Sequence, residues 1–203
     1  MNILITGCAG FIGFHLVKKI SSIKNIHIIG IDNIDNYYDI NLKKNRLKIL
    51  SKINNFKFYK IDITSEKKLS NLFLQNNFEI VVNLAAQSGV RYSIVNPKKY
   101  FNNNILGFFN IINLSQKYHA KHFLFASTSS VYGDNIHTPF LESDNTDRPL
   151  SFYAASKKTN ELIAYSFSNI YNLRCTGLRF FSVYGPYGRP DMAYFSFTKA
   201  ILN

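Results

Sequence analysis

Three glycines follow the first apolar run of the chain and restrict what it can fold into. Residues 3–5 are apolar, Gly7, Gly10 and Gly13 come next, and apolar residues then recur at near-helical spacing as far as Ile23. This pattern predicts a strand, a tight turn and a helix. Glycine lets the backbone turn sharply and approach a ligand, and the amides of a helix N-terminus attract anions. The alternative is a plain turn or helix cap.

A second apolar run, at residues 27–31, ends in Asp32 and Asn33. A carboxylate roughly 20 residues beyond such a glycine turn accepts the ribose hydroxyls of a dinucleotide and repels the extra phosphate of NADP. We therefore predict a dinucleotide site that prefers NAD to NADP. The alternative for Asp32 alone is an ordinary loop residue.

The rest of the chain keeps the same alternation. Strand-like segments lie at residues 56–61, 80–84, 122–126 and 173–180, and helical segments at 43–53, 66–75, 100–118 and 152–171. Alternation of this kind predicts an α/β fold, a Rossmann-like doubly wound parallel sheet with helices on both faces. Ligands bind such sheets beyond the carboxyl ends of the strands. That rule predicts a site rim at Asp62 and residues 85–86, 127–128 and 181–182.

Tyr153 and Lys157 lie four residues apart in the segment predicted as a long helix, so both side chains share one face. A phenol is a poor base at neutral pH, but a neighbouring ammonium and a positive nicotinamide ring favour the phenolate. We expect Lys157 to lower the pKa of Tyr153 in this way. The pair then suits hydride transfer with Tyr153 as acid/base, whereas the alternative is a solvated surface pair.

Composition narrows the class of protein. The 203 residues are 46% hydrophobic without an apolar run long enough to cross a bilayer, which predicts a globular protein with no membrane partner. A chain with Cys8 and Cys175 as its two cysteines, and no secretory signal, fits the reducing cytoplasm. Cys8 sits in the glycine turn and is expected to be a small filler, the alternative being a reactive thiol.

The chain is strongly basic, with 24 Lys and Arg against 12 Asp and Glu and a net charge of +12. These cations are scattered and no nucleic-acid motif accompanies them, so we expect no nucleic-acid partner. A positive field would still attract an anionic, nucleotide-linked substrate.

Several motifs in one order produce a resemblance over almost the whole chain. They are GCAGFIG at 7–13, Asp32-Asn33, Asp62-Ile63, NLAA at 83–86, STSSVYG at 127–133 and YAASK at 153–157. Together they resemble the extended short-chain dehydrogenase/reductases of the NAD-dependent epimerase/dehydratase family. Residues 37–47, 85–93 and 177–193 further resemble UDP-glucuronate 4-epimerases.

The resemblance implies a set of functional residues. The cofactor residues are Gly7, Gly10, Phe11, Ile12, Gly13, Asp32, Asn33, Asp62, Ile63, Leu84, Ala85, Ala86, Tyr153 and Lys157. The catalytic residues are Thr128, Tyr153 and Lys157, and the substrate residues are Arg91, Ser129, Ser130, Ser182 and Arg189. Tyr153 would take the proton of the sugar 4-hydroxyl and produce a 4-keto sugar, which would turn over and be reduced on its other face. No metal ion is needed.

Two residue choices separate the activities within the family. Related 4,6-dehydratases carry an Asp-Glu pair after the catalytic threonine, where this chain has Ser129 and Ser130, so the acid and base for dehydration are missing. Arg189 and Ser182 correspond to residues near the substrate carboxylate, which favours UDP-glucuronate. The alternatives are a neutral UDP-hexose substrate and, for Arg189, a loop arginine bonded to Asp191.

The resemblance also implies a division into domains. Residues 1–180 would form the NAD-binding domain, and residues 181–203 would begin a smaller substrate domain that is largely absent from this chain. The chain could therefore be a fragment without independent activity, or require a partner chain. Family members also form homodimers through two helices, here at residues 100–118 and 152–171.

Overall fold

The computed structural model describes residues 1–202. Within them the chain forms six strands: β1 (Asn2–Thr6), β2 (His27–Asp32), β3 (Phe56–Lys60), β4 (Ile80–Asn83), β5 (His122–Thr128) and β6 (Cys175–Phe180). The helices in the same residues are α1 (Phe11–Ile20), α2 (Ile40–Leu50), α3 (Glu66–Gln75), α4 (Val90–Val95), α5 (Pro97–Tyr100), α6 (Gly107–Lys117), α7 (Phe152–Tyr171) and α8 (Ala193–Leu202). A π-helix (Phe101–Leu106) joins α5 to α6, and a 3₁₀ turn (Ser129–Tyr132) follows β5.

The strands form one sheet in the order β3-β2-β1-β4-β5-β6 with every pair parallel. Ile5 of β1 pairs with Gly30 on one side and with Val82 on the other. The order reverses between β1 and β4, so a crevice opens there at the carboxyl ends of the strands. The predicted Rossmann-like fold is confirmed.

Side chains alternate between two cores along the central strand. Ile3 and Ile5 pack with Phe14 and Val17 of α1 on one face of the sheet. Leu4 points to the opposite face, where the buried residues come from α3, α6 and α7. A strand buried on both faces needs a continuous apolar run, which explains why β1 shows no polar alternation.

The glycine turn depends on contacts that leave no room for a side chain. Gly7 has φ of +69°, and a Cβ placed there would lie 2.8 Å from the amide nitrogen of Ala85. A Cβ on Gly13 would lie 2.3 Å from the carbonyl oxygen of Gly7 and 2.9 Å from the Cα of Cys8. The turn is therefore pressed between α1 and the residues that follow β4, as the glycine pattern predicts.

Several element boundaries differ from those expected from the sequence. α2 was expected at residues 43–53 but begins at Ile40, because the side chain of Asp39 accepts a hydrogen bond from the amide of Asn41 at 2.8 Å and caps the helix. α1 ends at Ile20 rather than Ile23, and β6 begins at Cys175 rather than at residue 173.

The segment expected to be a single helix at residues 100–118 is interrupted by the π-helix. Such distortions of a helix are frequent at functional sites. Here the distortion brings the buried side chain of Asn104 towards residue 87. The backbone amide of Gln87 donates to Oδ1 of Asn104 at 2.7 Å, and Nδ2 of Asn104 donates to the backbone carbonyl of Gln87 at 3.0 Å.

The C-terminal part of the chain packs loosely. α8 has no buried residue, and Phe197, Ile201 and Leu202 are among its exposed apolar side chains. Asn203, the last residue of the segment expected to begin a second domain, lies outside the described residues. Within residues 1–202 no helix has the length and hydropathy needed to cross a bilayer, and no cluster of His, Cys, Asp and Glu has the makings of a metal site.

Gly13→Ala tests the close approach at the glycine turn. Alanine favours a helix by about 1 kcal/mol over glycine, but its methyl group would collide with the Gly7 carbonyl, and overpacking costs about 1–3 kcal/mol. We therefore expect the free energy of unfolding to fall by up to about 2 kcal/mol. Urea unfolding measures the change. Asn71→Ala on the exposed face of α3 is the matched control and is expected to be neutral or slightly stabilising. Equal stability of the two variants would contradict the clash.

Candidate active site

A cleft of about 440 Å³ opens at the carboxyl ends of the strands, over the switch between β1 and β4. Most residues predicted from the sequence line it. They are Gly7, Gly10, Phe11, Ile12, Gly13, Asp32, Asn33, Ile63, Leu84, Ala85, Ala86, Thr128, Ser129, Ser130, Tyr153, Lys157, Ser182 and Arg189. The sheet and α7 thus bring the glycine turn, the Tyr-Lys pair and the arginine together.

Two predicted residues lie elsewhere. Arg91 is exposed in the first turn of α4 and does not line the cleft, so the structure does not support its expected place beside the sugar. Asp62 does not line the cleft, whereas Ile61 and Ile63 on either side of it do. It lines a neighbouring pocket together with Asn33.

Hydrogen bonds fix the orientation of Asp62. Asn33 Nδ2 donates to one carboxylate oxygen at 2.8 Å, and the amide and hydroxyl of Thr64 donate to the other at 2.8 and 2.7 Å. Burial raises the pKa of Asp62, but these bonds outweigh it and hold the pKa below its ordinary value. Its carboxylate is therefore a fixed acceptor at the edge of the site.

Asp32 is buried at the end of β2 and shapes the turn beside it. Its Oδ2 accepts from the amide of Ala9 at 3.1 Å and its Oδ1 accepts from the amide of Ile34 at 2.8 Å. Burial raises its pKa, while these amides and the cations Lys43 and Arg46 act in the opposite direction. Each carboxylate oxygen accepts one amide and keeps capacity for another donor, and Asp32 lines the cleft, so it can still accept hydroxyl donors.

Tyr153 stands near the N-terminus of α7, which Ser151 caps by accepting a hydrogen bond from the amide of Ala154 at 3.1 Å. Burial raises the pKa of the Tyr153 phenol, whereas the Thr128 hydroxyl and the charge of Arg189 lower it. The net direction is upward, which differs from the expectation that Lys157 holds this pKa down.

Lys157 is buried one turn further along α7. Its Nζ donates to the carbonyl oxygen of Ala126 at 2.8 Å, at the end of β5. Burial lowers the pKa of Lys157 to about 8. The Lys157 ammonium therefore gives up a proton more readily than that of an exposed lysine.

Ser127, next to Thr128, is hydrogen-bonded to Glu161 of α7, which also forms a partly buried ion pair with Arg179. Its hydroxyl donates to Glu161 Oε1 at 2.5 Å, and Arg179 of β6 donates to both oxygens of Glu161 at 3.0 Å. The Arg179 guanidinium also lies over the ring of Tyr132 at 5.0 Å. Bidentate pairing of this kind holds the end of β5 rigidly against the helix that carries Tyr153.

Arg189 and Ser182 both line the cleft on the segment after β6. The Arg189 guanidinium donates to the two carboxylate oxygens of Asp191 at 3.1 and 2.5 Å and lies 5.9 Å from the centre of the Tyr37 ring. The alternative partner considered for Arg189 is thus present, yet the side chain still reaches the cleft. Its remaining N–H donors can bind an anion there.

Sequence reasoning missed several residues that support the site. Tyr100 is fully buried, and its hydroxyl lies 2.8 Å from the carbonyl of Ser88 and 2.5 Å from that of Gly89, both of which line the cleft. Lys43 also lines the cleft, and its Nζ donates to the Asp35 carbonyl at 2.7 Å. Lys43 and Arg46 are three residues apart on α2 and therefore share one face of the helix. This spacing could have predicted that the two cations act together.

Cys8 is fully buried behind the turn, and burial together with the charge of Asp32 raises the pKa of its thiol well above the ordinary value. A buried thiol of that kind is unreactive. The interpretation of Cys8 as a filler therefore agrees with its environment.

The arrangement can bind a dinucleotide at the glycine turn and hold a phenol, an ammonium and a hydroxyl at the far end of the same cleft. A family model described as GDP-mannose 4,6 dehydratase matches residues 4–203. The chain belongs to this NAD-dependent epimerase/dehydratase family. The resemblance drawn from the motifs is therefore confirmed.

Individual relatives refine the comparison. Protein CapI of Staphylococcus aureus is 56% identical over the whole chain, which spans 60% of that relative. UDP-glucuronic acid 4-epimerase from Bacillus cereus, solved with UDP-glucuronic acid and NAD, is 33% identical with a TM-score of 0.93, and the chain covers 63% of it. UDP-glucose 4-epimerase from Thermotoga maritima, solved with UDP-glucose, is 34% identical with a TM-score of 0.82; 95% of this chain aligns with 59% of it. The chain thus spans about 60% of these relatives.

The environment of Lys157 leads to a measurable titration. Because burial lowers its pKa to about 8, the chemical shift of its ε-carbon should titrate about two units below that of exposed lysines, whose pKa is about 10.4. Carbon-13 NMR of lysine-labelled protein gives the titration curves, and loss of one curve in Lys157→Met assigns the signal. A midpoint near 10.4 for Lys157 would contradict the described burial.

Proposed function

We propose that this chain forms the NAD-binding part of a nucleotide-sugar 4-epimerase that interconverts UDP-glucuronate and UDP-galacturonate. The observation that carries the proposal is the convergence of Tyr153, Lys157, Thr128 and Arg189 on the cleft that begins at the glycine turn. The relatives named above, solved with NAD, UDP-glucuronic acid or UDP-glucose, support the same class of reaction.

The turn fits a dinucleotide on its own geometry. Gly7 and Gly13 leave the backbone bare where a pyrophosphate would approach, and the N-terminus of α1 faces that space. The carboxylate of Asp32 suits ribose hydroxyls and disfavours a phosphate in the same place, which supports NAD over NADP. Bound NAD would supply a hydride acceptor beside the sugar.

Tyr153 is the proposed acid/base. Its hydroxyl would remove the proton from the sugar 4-hydroxyl when the sugar is oxidised and return it when the ketone is reduced. Thr128 would hydrogen-bond the same sugar oxygen, and Lys157 would hold the nicotinamide ribose and relay protons through its low pKa. The raised pKa of Tyr153 keeps its hydroxyl protonated at neutral pH until an additional positive charge in the cleft lowers that pKa.

Ser129 and Ser130 favour epimerisation over the dehydration that gives the family model its description. Both line the cleft next to Thr128, and neither hydroxyl is an acid or base at neutral pH. A dehydration step requires a group to abstract a proton and another to protonate the leaving hydroxide. The chemistry of these two side chains therefore supports a substrate that keeps all its oxygens.

Arg189 supports a carboxylated sugar. Its guanidinium lies in the cleft with N–H donors beyond those used by Asp191, and a bidentate bond to a substrate carboxylate would fix the orientation of that group. A fixed carboxylate would protect a 4-keto uronate from losing carbon dioxide by keeping the breaking bond out of alignment with the carbonyl. The alternative substrate is a neutral UDP-hexose.

We also propose a division into domains, a homodimer and a cytoplasmic location. We assign residues 1–180 to the NAD-binding domain and residue 181 onwards to the start of a substrate domain, supported by the absence of buried residues in α8. A homodimer through the outer faces of α6 and α7 is supported by exposed Phe109, Leu162 and Tyr165. Free Cys8 and Cys175 support a cytoplasmic location.

Proton NMR tests the reaction directly. Purified chain with UDP-glucuronate and a trace of NAD should produce the anomeric signal of UDP-galacturonate, and Tyr153→Phe should reduce the rate by about 10²–10⁴-fold because the phenol proton is lost. NAD binding by the variant should remain unchanged. Turnover by Tyr153→Phe at the original rate would exclude Tyr153 as the acid/base, and no turnover by the unaltered chain would favour a fragment that requires the rest of the polypeptide.

Arg189→Ala tests the identity of the substrate. Loss of a charge-assisted pair should weaken binding of UDP-glucuronate by about 1.5–3 kcal/mol while UDP-glucose binding changes little. Isothermal titration calorimetry with both ligands gives the comparison. Arg148→Ala, at an exposed arginine paired with Asp134, is the matched control for net charge. Equal losses for the two sugars would remove the support for a uronate.

A further inference from the structure

The segment that leads to Arg189 is held by side chains from the opposite half of the molecule. His15 Nε2 lies 2.8 Å from the carbonyl oxygen of Pro186, and because a carbonyl can only accept, the ring nitrogen donates. Arg46 Nη2 donates to the carbonyl of Tyr187 at 2.6 Å and approaches that of Gly188 at 3.5 Å. Three consecutive carbonyls are thus bound by α1 and α2.

The other end of the same guanidinium reaches the glycine turn. Arg46 Nη1 donates to the carbonyl of Ala9 at 2.8 Å and to the hydroxyl of Tyr38 at 2.7 Å. Its side chain is fully buried and, among residues 1–202, forms no ion pair with a carboxylate; its Nε has no hydrogen-bond partner there. Arg46 therefore connects the glycine turn to residues 187 and 188 through hydrogen bonds from the same guanidinium.

The charge of Arg46 acts on Asp32 without direct contact, and burying a charge that no carboxylate contacts is unfavourable unless hydrogen bonds satisfy it. The planar fork of arginine holds its donors at separate, fixed positions and can bridge carbonyls on two sides, whereas the three donors of lysine share one nitrogen. Tyr187 has φ of +58°, a left-handed conformation that a tyrosine rarely adopts unless its surroundings impose it. The bond from Arg46 to the carbonyl of Tyr187, together with the Tyr187 ring against Phe14 at 5.2 Å, imposes it here.

We propose that Arg46, assisted by His15, is a positioning residue that fixes the turn at residues 186–188 and so places the guanidinium of Arg189 in the cleft. Arg46 does not line the cleft, so it acts through Arg189 rather than on a ligand. Its role in recognising a substrate carboxylate rests on the proposed function. Recognition of the uronate thereby depends on a residue of the dinucleotide-binding half.

Hydrogen exchange tests the position of the turn without any sugar. The amides of Gly188 and Met192 donate to the carbonyls of Gly185 and Arg189 at 3.1 and 3.3 Å, so they report the order of the turn. In Arg46→Met these two amides should exchange at least roughly tenfold faster than in the unaltered protein, because charge-assisted bonds to the turn are lost. Their exchange rates in Arg46→Lys should lie between those of Arg46→Met and the unaltered protein. Unchanged exchange at these amides would overturn the proposal.

Controls separate this local effect from general unfolding. Arg148→Met makes the same substitution at an exposed arginine and should leave the turn unchanged. Exchange of the β1 and β4 amides reports whether the core remains folded. If Arg46→Met does not fold, His15→Ala and Arg46→Lys are measured in its place. His15→Ala removes one of the three carbonyl bonds, and Arg46→Lys retains the charge. Faster exchange confined to the turn in either variant supports the proposal, and exchange equal to the unaltered protein opposes it.

A binding comparison tests the consequence for recognition. With NAD present, Arg46→Met should bind UDP-glucuronate roughly tenfold more weakly than the unaltered chain, whereas its affinity for UDP-glucose should change little. Arg46→Lys should bind UDP-glucuronate more tightly than Arg46→Met does. Equal losses for both sugars would show a merely structural role and overturn the positioning of Arg189. Absence of UDP-sugar binding by the unaltered chain would contradict the proposed function instead, and the exchange rates would still decide whether Arg46 holds the turn.

Discussion

The approach of backbone to backbone at Gly7 and Gly13 is the constraint on which the rest of the structure depends. The Gly7 carbonyl occupies the space where a Cβ of residue 13 would stand, so α1 lies directly against the end of β1. This contact sets the distance between α1 and the sheet and leaves bare amides facing the crevice. The residues after β4 close the turn from the other side, where Ala85 blocks a side chain at Gly7.

The sequence was sufficient for the architecture and for the residues at strand ends, and the reasons are physical. Parallel strands that are buried on both faces appear as apolar runs, and their carboxyl ends must meet at one edge of the sheet. Tyr153 and Lys157 could be predicted as neighbours because one helix turn separates them. The strand end placed Thr128 at the site rim, and the family resemblance implied its place beside Tyr153. Asp62 and Arg91 required the direction of a side chain in a loop and in a short helix, and a motif does not determine that direction.

Residues whose partners are backbone groups could not be predicted from the sequence. Arg46 bonds a carbonyl 141 positions away, and a carbonyl carries no sequence signal. Asn104 was equally hidden, since its place depends on a π-helix inside a segment that resembled one continuous helix. The raised pKa of Tyr153 likewise follows from burial, whereas residue spacing alone suggested the opposite direction. Spacing shows which groups can meet, and burial decides how they ionise.

The position of β1 in the sheet has a consequence for how the chain acquires its fold. β1 is the first strand in sequence but a central one in space, and its neighbours β2 and β4 come from residues 27–32 and 80–83. During synthesis the β1-β2-β3 half can assemble while one edge of β1 remains open. In the folded sheet β4 pairs with that edge of β1, and β5 and β6 continue outward from it. The crevice of the active site is the seam between an earlier half and a later one.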